Sequence, residues 1–149
     1  MKVEIDQSGK VGSKTHTVLA FSNSSDYAVI LPAKVKRQFI QRARLLGKTG
    51  KHFYFQLFSL ALFFLLKNFL KEITEMTIDI EYPRKDGIIK AAFLNLLSQD
   101  GKEIKPQNIN FKRIGKHSQA HKKALKVFRK PKEADFVITL EELLKYSKP

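Results

Sequence analysis

Short apolar segments near the start of the chain alternate with turn-forming residues. Residues 2–6, 15–22 and 27–32 have the composition of β-strands, and the segments at 8–14 and 22–26 between them are rich in Gly, Ser, Asn and Lys. Because these connections are so short, neighbouring strands must pair antiparallel. The pattern therefore predicts a three-stranded antiparallel meander at the start of the sheet.

The remainder of the chain alternates between helical and strand periodicity. Helices are predicted over residues 33–46, 51–71, 86–99, 118–130 and 140–146, and strands over residues 76–82, 107–115 and 134–139. Early hairpins followed by strand–helix–strand units are typical of a mixed sheet with helices packed on it. A chain of 149 residues is long enough to bury one core. We therefore predict a mixed α/β fold with a single domain over residues 1–149.

The segment from Phe53 to Leu66 is almost entirely apolar and imitates a membrane span. It is shorter than the roughly 20 residues that a spanning helix needs, and Gln56 and Ser59 interrupt it. A helix buried on most sides in a protein core explains the same composition. We therefore expect a buried helix and no membrane span.

The helix predicted at 33–46 has a narrower apolar face. Helical spacing places Val35, Phe39, Ala43 and Leu46 on one stripe. We expect the basic residues of this helix to surround the stripe in solvent: Lys34, Lys36, Arg37, Arg42 and Arg44.

The charge balance of the chain is unusual for a globular domain. There are 28 Lys and Arg residues against 14 Asp and Glu, which gives a formal net charge of +14 at pH 7. Such a field favours an anionic partner, most often DNA or RNA and sometimes an anionic membrane surface. The absence of cysteine excludes disulfides and thiolate metal sites. Since no signal peptide is visible either, we expect a cytoplasmic protein.

Carboxylates occupy alternating positions in two of the predicted strands. Glu4 and Asp6 share one face of the first strand, and Asp79 and Glu81 share one face of strand 76–82. If these strands are neighbours, their carboxylates converge, and cations must offset the repulsion. Mg²⁺ or Mn²⁺ would suit such oxygen ligands, whereas Arg and Lys partners or simple solvent exposure explain the same alternation. We expect Asp6 to be functional, Glu4 to be incidental or supporting, and Asp79 or Glu81 to be a metal ligand.

Two short motifs lie in these strands, IDQSG at residues 5–9 and TIDIEY at residues 77–82. Ser8 and Gly9 leave room for a phosphate to approach the backbone, and an ordinary β-turn explains them equally well. The motifs and the element order over roughly residues 1–130 resemble the ribonuclease H-like superfamily. That resemblance implies a catalytic Asp on the first strand, here Asp6. It also implies a second acid on a neighbouring fourth strand, here Asp79 or Glu81.

The helical ligand of that superfamily is harder to place in this chain. Members that resemble ribonuclease H itself carry a Glu on the first helix after the meander, and this chain has no Glu from Ala33 to Lys71. Some resolvases and argonaute-type nucleases of the superfamily use a late-helix His, and His117 and His121 lie one helical turn apart here. The basic residues of helix 118–130 should face solvent: Lys122, Lys123, Lys126, Arg129 and Lys130. His121 falls on the apolar side of the same helix, so it should face the sheet. It is then either a metal or proton-transfer group or an ordinary core histidine.

Lysine and arginine are dense over residues 112–132 and again in helix 33–46. Solvated helix faces explain each cluster alone, but both together on so basic a chain favour a groove that follows a phosphate backbone. Few aromatic residues lie among them, so stacking on single-stranded bases is not indicated. The residues expected to bind nucleic acid are Lys34, Arg37, Arg42, Arg44, Lys112, Arg113, Lys116, Lys122, Lys123, Lys126 and Arg129.

These features predict a divalent-metal-dependent nuclease or resolvase-like phosphodiesterase. Mg²⁺ or Mn²⁺ would be held by Asp6, Asp79 and Glu81, with His121 as a further catalytic group. A non-catalytic basic module of the same fold that binds RNA or a ribonucleoprotein is an alternative, and the missing first-helix Glu favours it. A membrane-surface or interaction protein that uses the apolar helix is another. A two-fold homodimer would suit a junction substrate.

Overall fold

A six-stranded mixed sheet lies at the centre of the computed structural model, which describes residues 1–48, 50 and 52–146. Its strands are β1 (Lys2–Ser8), β2 (Thr17–Ser22), β3 (Asp26–Leu31), β4 (Glu75–Asp79), β5 (Ile109–Lys112) and β6 (Phe136–Val137). The α-helices of the described residues are α1 (Ala33–Leu45), α2 (His52–Leu66), α3 (Asp86–Gln99), α4 (Gln119–Arg129) and α5 (Leu140–Tyr146). Short 3₁₀ turns occupy Pro106–Asn108 and Pro131–Glu133.

The strands lie in the order β5-β4-β1-β2-β3-β6. β1, β2 and β3 pair antiparallel in sequence, so the predicted meander is confirmed. β4 pairs parallel with the other edge of β1, β5 pairs parallel with β4, and β6 pairs parallel with β3. The mixed α/β fold is confirmed as well. β1 is therefore an inner strand, with β2 on one side and β4 on the other.

The two faces of the sheet carry cores of different sizes. Val3 and Ile5 of β1 belong to a large core that includes most of α2 and the buried side chains of α3. On the opposite face, α4 packs on a small cluster that includes Ala20 and Ala28. Because these side chains are small, α4 can approach the sheet closely. The alternation of β1 places Glu4 and Asp6 on this second face.

Helix α2 fills the main core, as its composition predicted. Its side chains from Leu57 to Leu66 are all buried, and the Ser59 hydroxyl donates a hydrogen bond to the Phe55 carbonyl oxygen at 2.8 Å. The helix ends at Leu66 and not at residue 71, because turns occupy 67–72; its predicted start at Lys51 lies outside the described residues. Within the described part of the chain, no helix is both long and apolar enough to cross a membrane.

Helix α1 departs from its predicted pattern at Lys36 and Leu46. Lys36 was expected in solvent but is 2% exposed, while Leu46 was expected in the apolar stripe but is 66% exposed. The loop between β1 and β2 covers Lys36 and offers it two carbonyl oxygens, so an ammonium group is tolerated there. Leu46 lies just beyond the last helical residue and points away from the core.

Candidate metal centre

Neighbouring strands bring Asp6 and Asp79 together. β1 and β4 are parallel with Ile5 opposite Ile78, so the next residue of each strand lies beside its partner. β4 ends at Asp79 and not at residue 82, so Glu81 reaches the site from the segment after the strand. Ligand oxygens of Asp6, Asp79 and Glu81 all lie within 4.8 Å of one another. The convergence of carboxylates that the sequence predicted is therefore present in the structure.

Asp6 is the most buried member of this carboxylate cluster, at 5% exposed. Its Oδ2 lies 2.7 Å from His121 Nδ1, and its Oδ1 accepts a hydrogen bond from the Gln7 backbone N–H at 2.8 Å. Burial raises the pKa of Asp6, and both hydrogen bonds oppose that shift. His121 therefore faces the sheet, as its helical position predicted, because α4 lies close to Ala20 next to Asp6.

Glu81 has the more strongly perturbed carboxyl group. Burial, a hydrogen bond with Asp79 and the negative charges of Asp79 and Asp6 together raise the pKa of Glu81 to about 8, against a smaller opposing effect of Lys10. Asp79 is oriented by the Ile114 backbone N–H, which donates to its Oδ1 at 2.8 Å. If all three carboxyl groups were ionised at once, the site would therefore carry more negative charge than the surrounding protein offsets.

The donor set fits a hard divalent cation. All three groups offer carboxylate oxygens, which Mg²⁺ and Mn²⁺ prefer. Oxygens on opposite sides of one Mg²⁺ lie about 4.2 Å apart, close to the spread of the cluster. A cation here would also offset the repulsion that raises the pKa of Glu81. Both Asp79 and Glu81 lie close enough to Asp6 to share a cation with it. The structure therefore does not decide which of the two is the metal ligand.

Glu4 supports the start of α4 and lies outside the carboxylate cluster. Its side chain is exposed, and its Oε1 accepts a hydrogen bond from the Ser118 hydroxyl at 2.9 Å. Ser118 Oγ in turn accepts from the Ala120 backbone N–H at 3.2 Å, which caps α4. Glu4 thus links β1 to the helix that carries His121.

The other histidines lie outside the cluster. His117 is exposed in the loop before α4, and His52 is exposed at the start of α2. His16 Nε2 lies 2.7 Å from the Phe128 carbonyl oxygen, and its ring lies 4.5 Å from the Phe128 ring between centroids. His16 therefore anchors the end of α4.

Gly9 is required by the protein's own packing. Its φ is +77°, in the left-handed region that favours glycine. A Cβ at this position would lie 2.4 Å from the His16 carbonyl oxygen and 2.5 Å from Phe128 Cε1. The turn explanation of Ser8 and Gly9 is therefore the one that the structure supports, since Phe128 and the His16 carbonyl oxygen pack against Gly9.

Most residues expected to bind nucleic acid are exposed, and Lys123 is the exception. The Lys123 side chain is only 16% exposed and pairs with Asp26 at 3.3 Å and Asp135 at 3.6 Å. Its expected solvent-facing position was wrong, because the chain just before β6 brings Asp135 beneath α4. The exposed residues of the set are Lys34, Arg37, Arg42, Arg44, Lys112, Arg113, Lys116, Lys122, Lys126 and Arg129.

Several contacts of the site were not predicted. The backbone N–H groups of Gln7 and Ile114 orient the carboxylates, and a backbone donor leaves no trace in side-chain patterns. The Tyr82 hydroxyl accepts from the Val11 backbone N–H at 3.2 Å and donates to Gln7 Oε1 at 3.4 Å. The start of α4 could have been predicted from Ser118, because Ser is a favoured N-cap residue.

Comparison of the chain with protein-family models, curated proteins and solved structures gives no match. The chemistry of the site therefore has to be inferred from the residues that form it.

Proposed function

We propose that this chain is a divalent-metal-dependent nuclease with a ribonuclease H-like fold, acting on phosphodiester bonds of DNA or RNA. The observation that supports this most is the meeting of Asp6, Asp79 and Glu81 within 4.8 Å at the ends of two neighbouring parallel strands. The antiparallel meander followed by parallel β4 and β5 agrees with the resemblance in element order. A net charge of +14 around an acidic centre suits a polyanionic substrate.

The chain's own residues would position the reacting groups. Asp6, Asp79 and Glu81 would hold Mg²⁺ or Mn²⁺, which when bound supplies an acidified water and stabilises charge on phosphate oxygens. His121 and the Gln7 N–H fix both oxygens of Asp6, and the Ile114 N–H fixes one oxygen of Asp79. Because Nδ1 of His121 is engaged by Asp6, Nε2 is the ring nitrogen that can exchange a proton with substrate.

A non-catalytic nucleic-acid-binding module is the second candidate. Helices α1 and α2 carry no Glu within the described residues, whereas ribonuclease H itself has a catalytic Glu on the corresponding helix. The same fold and charge would then serve binding alone. Cleavage in the presence of metal separates the two candidates.

Cleavage is tested by incubating the protein with plasmid, RNA–DNA hybrid, junction and single-stranded substrates. We expect products with Mg²⁺ or Mn²⁺ that EDTA suppresses, and a loss of about 10²-fold or more in rate for Asp6→Asn. Glu4→Gln is the matched control, because Glu4 shares strand and face with Asp6 but lies outside the cluster. That variant should retain most of the rate.

A second readout is independent of catalysis. Mn²⁺ should raise the melting temperature of the wild-type protein and of Glu4→Gln, but not of Asp6→Asn, since a ligand stabilises the state that binds it. If no substrate is cleaved with either metal while salt-sensitive binding persists, the protein is a binding module and the nuclease proposal is wrong.

A further inference from the structure

Two adjoining cavities form a groove that leads from Glu81 to α1. The first cavity has a volume of about 560 Å³ and includes Glu81 in its wall. The second has a volume of about 400 Å³ and includes Arg37 and Arg44. The cavities share three lining residues: Gly12, Ser13 and Tyr54. The groove therefore starts at Glu81, one member of the carboxylate cluster, and ends on the basic side of α1.

The groove is basic away from Glu81. Its exposed or partly exposed lining cations are Lys10, Lys85, Lys14, Arg37 and Arg44. Glu81 is the only carboxyl among the described residues that line either cavity. Among the lining cations, Lys14, Arg37 and Arg44 form no ion pair with another described residue. Their charges are therefore available to an anion from outside the protein.

Lys36 fixes the loop that the two cavities share. Its buried ammonium donates to the carbonyl oxygens of Lys10 at 3.3 Å and Ser13 at 3.1 Å and to Thr17 Oγ1 at 3.0 Å. The Ser13 hydroxyl and N–H both donate to the Lys10 carbonyl oxygen as well, at 2.6 and 3.0 Å. The groove therefore has a pre-organised floor, which lowers the entropic cost of binding a ligand there.

Tyr54 places an aromatic ring at the junction of the two cavities. Its ring is partly buried, packs edge-to-face on Phe53 with centroids 4.9 Å apart, and lies beside Gly12. The sequence did not indicate base stacking, because Tyr54 lies in the apolar segment and not among the basic residues. In the folded groove its ring lies among cations, which is the arrangement on which unpaired bases stack. Bases inside a duplex have both faces covered by their neighbours, so this ring favours a single strand.

We propose that the groove binds a single-stranded segment of DNA or RNA next to the bond that is cleaved. Lys14, Arg37 and Arg44 would contact its phosphates, and one base would stack on Tyr54. The inference depends on the proposed function for its nucleic-acid partner and for the direction of the strand away from Glu81. The inference also separates the exposed cations of α1 into two pairs. Arg37 and Arg44 line the groove, whereas Lys34 and Arg42 do not.

The test compares two double variants of the same helix by fluorescence anisotropy. The probe is a labelled single strand of about 15 nucleotides, long enough to cover one binding site, with EDTA present so that cleavage plays no part. We expect Arg37→Gln with Arg44→Gln to weaken binding about tenfold and to reduce the slope of log K against log salt by about 1.4. Lys34→Gln with Arg42→Gln removes the same charge and should weaken binding less than about threefold.

Tyr54 supplies a test of stacking. Tyr54→Ala should weaken single-strand binding by about fivefold or more, while leaving binding of a blunt duplex unchanged. Tyr54→Phe keeps the ring and should restore single-strand binding, which shows that the Ala variant lost a stacking face and not its fold.

Equal weakening by the two α1 double variants would overturn the groove, because it would indicate non-specific attraction to the whole helix. Parallel losses of duplex and single-strand binding in Tyr54→Ala would also overturn it. These outcomes are distinguishable from failure of the nuclease proposal. If cleavage occurs but the double variants behave alike, only the groove is wrong; if binding follows the groove but no metal supports cleavage, only the nuclease is wrong.

Discussion

At the level of single residues, burial and hydrogen bonding differ among the three clustered carboxyl groups. Asp6 has two hydrogen bonds that oppose the effect of its burial, and Asp79 is held by a backbone N–H. Glu81 lies beyond the end of β4, and burial beside two other acids raises its pKa to about 8. The folded protein therefore keeps a proton on Glu81 at pH values where the unfolded chain has released it.

The Glu81→Gln variant should become more stable relative to wild type as pH rises. The wild type loses stability between pH 4.5, the ordinary pKa of Glu, and about pH 8, since the folded state binds the extra proton in that window. Because Glu81 is only partly buried, solvent screening reduces the effect, and the loss should be on the order of 2 kcal/mol, or about 4–8 °C in melting temperature. Thermal unfolding of both proteins at pH 5 and pH 8 measures it.

Glu103→Gln is a control for that experiment, because Glu103 is exposed and outside the cluster. The pH-dependent change seen with Glu81→Gln should exceed the change seen with Glu103→Gln, which removes one carboxyl group outside the cluster. Added Mn²⁺ should reduce or reverse the advantage of Glu81→Gln at pH 8, since a bound cation favours the ionised carboxylate. A difference between Glu81→Gln and wild type that is the same at both pH values would contradict a raised pKa.

Residue-level patterns predicted which carboxylates meet but not which lysines are buried. Strand alternation fixed the face on which Asp6 and Asp79 lie. Their meeting depended in addition on the two strands being neighbours, which the resemblance implied. Lys36 and Lys123 were assigned to solvent by helical spacing. The loop carbonyls that bind Lys36 and the Asp135 that binds Lys123 come from distant parts of the chain, and one-element periodicity contains no information about them.

At the level of elements, the contact between the β1–β2 turn and α4 depends on Gly9. The turn has a left-handed residue at this position, and Phe128 and the His16 carbonyl lie against it. The same helix brings His121 to Asp6. The turn and the site are therefore coupled through the placement of α4.

Gly9→Ala should lower the free energy of unfolding by about 2–4 kcal/mol, from left-handed strain together with the steric clash. Gly115→Ala is the matched variant, because Gly115 also has a positive φ of 85° but nothing lies within 4 Å of the added Cβ. It should cost only about 1–2 kcal/mol. Urea unfolding of both variants measures the difference. Equal losses in the free energy of unfolding for the two variants would show that Phe128 and His16 move aside for the added methyl group without an energetic penalty.

Element boundaries were predicted less well than element types. The predicted strand at 76–82 and helix at 51–71 both extended past their actual ends at Asp79 and Leu66. In each case apolar residues continue past the end because they pack on the core from turns and loops, so composition alone does not mark the end. Tyr82 and Phe69 are examples, since both are half-buried outside regular structure and pack on the main core.

At the level of the whole molecule, charge and apolar content lie in different places. The most apolar helix, α2, is enclosed in the main core, while many of the exposed cations lie on α1, on α4 and in the loop before α4. The burial of the apolar segment could be predicted, because the segment is too short for a membrane span and polar residues interrupt it. The mixed sheet followed from the order of elements, whereas the groove at Tyr54 could not be predicted, because it joins residues far apart in sequence.

Vesicle flotation distinguishes a charged surface from an inserted helix. We expect no flotation with neutral phosphatidylcholine vesicles, because α2 is buried. Vesicles with anionic lipid should bind the +14 chain at low salt and release it at about 0.5 M salt, where charges are screened within several ångströms. Flotation with neutral vesicles, or binding that persists in high salt, would indicate that α2 can leave the core.

The small side chains beneath α4 also set the order in which the molecule comes apart. The apolar cluster that holds α4 on Ala20 and Ala28 has fewer buried side chains than the main core around α2, so local opening of α4 should cost less free energy. A molecule opened in this way keeps its sheet and its three carboxylates but has lost His121 and the cap that Ser118 shares with Glu4. On heating, His121 should therefore lose its contact with Asp6 at a lower temperature than the one at which the whole protein unfolds.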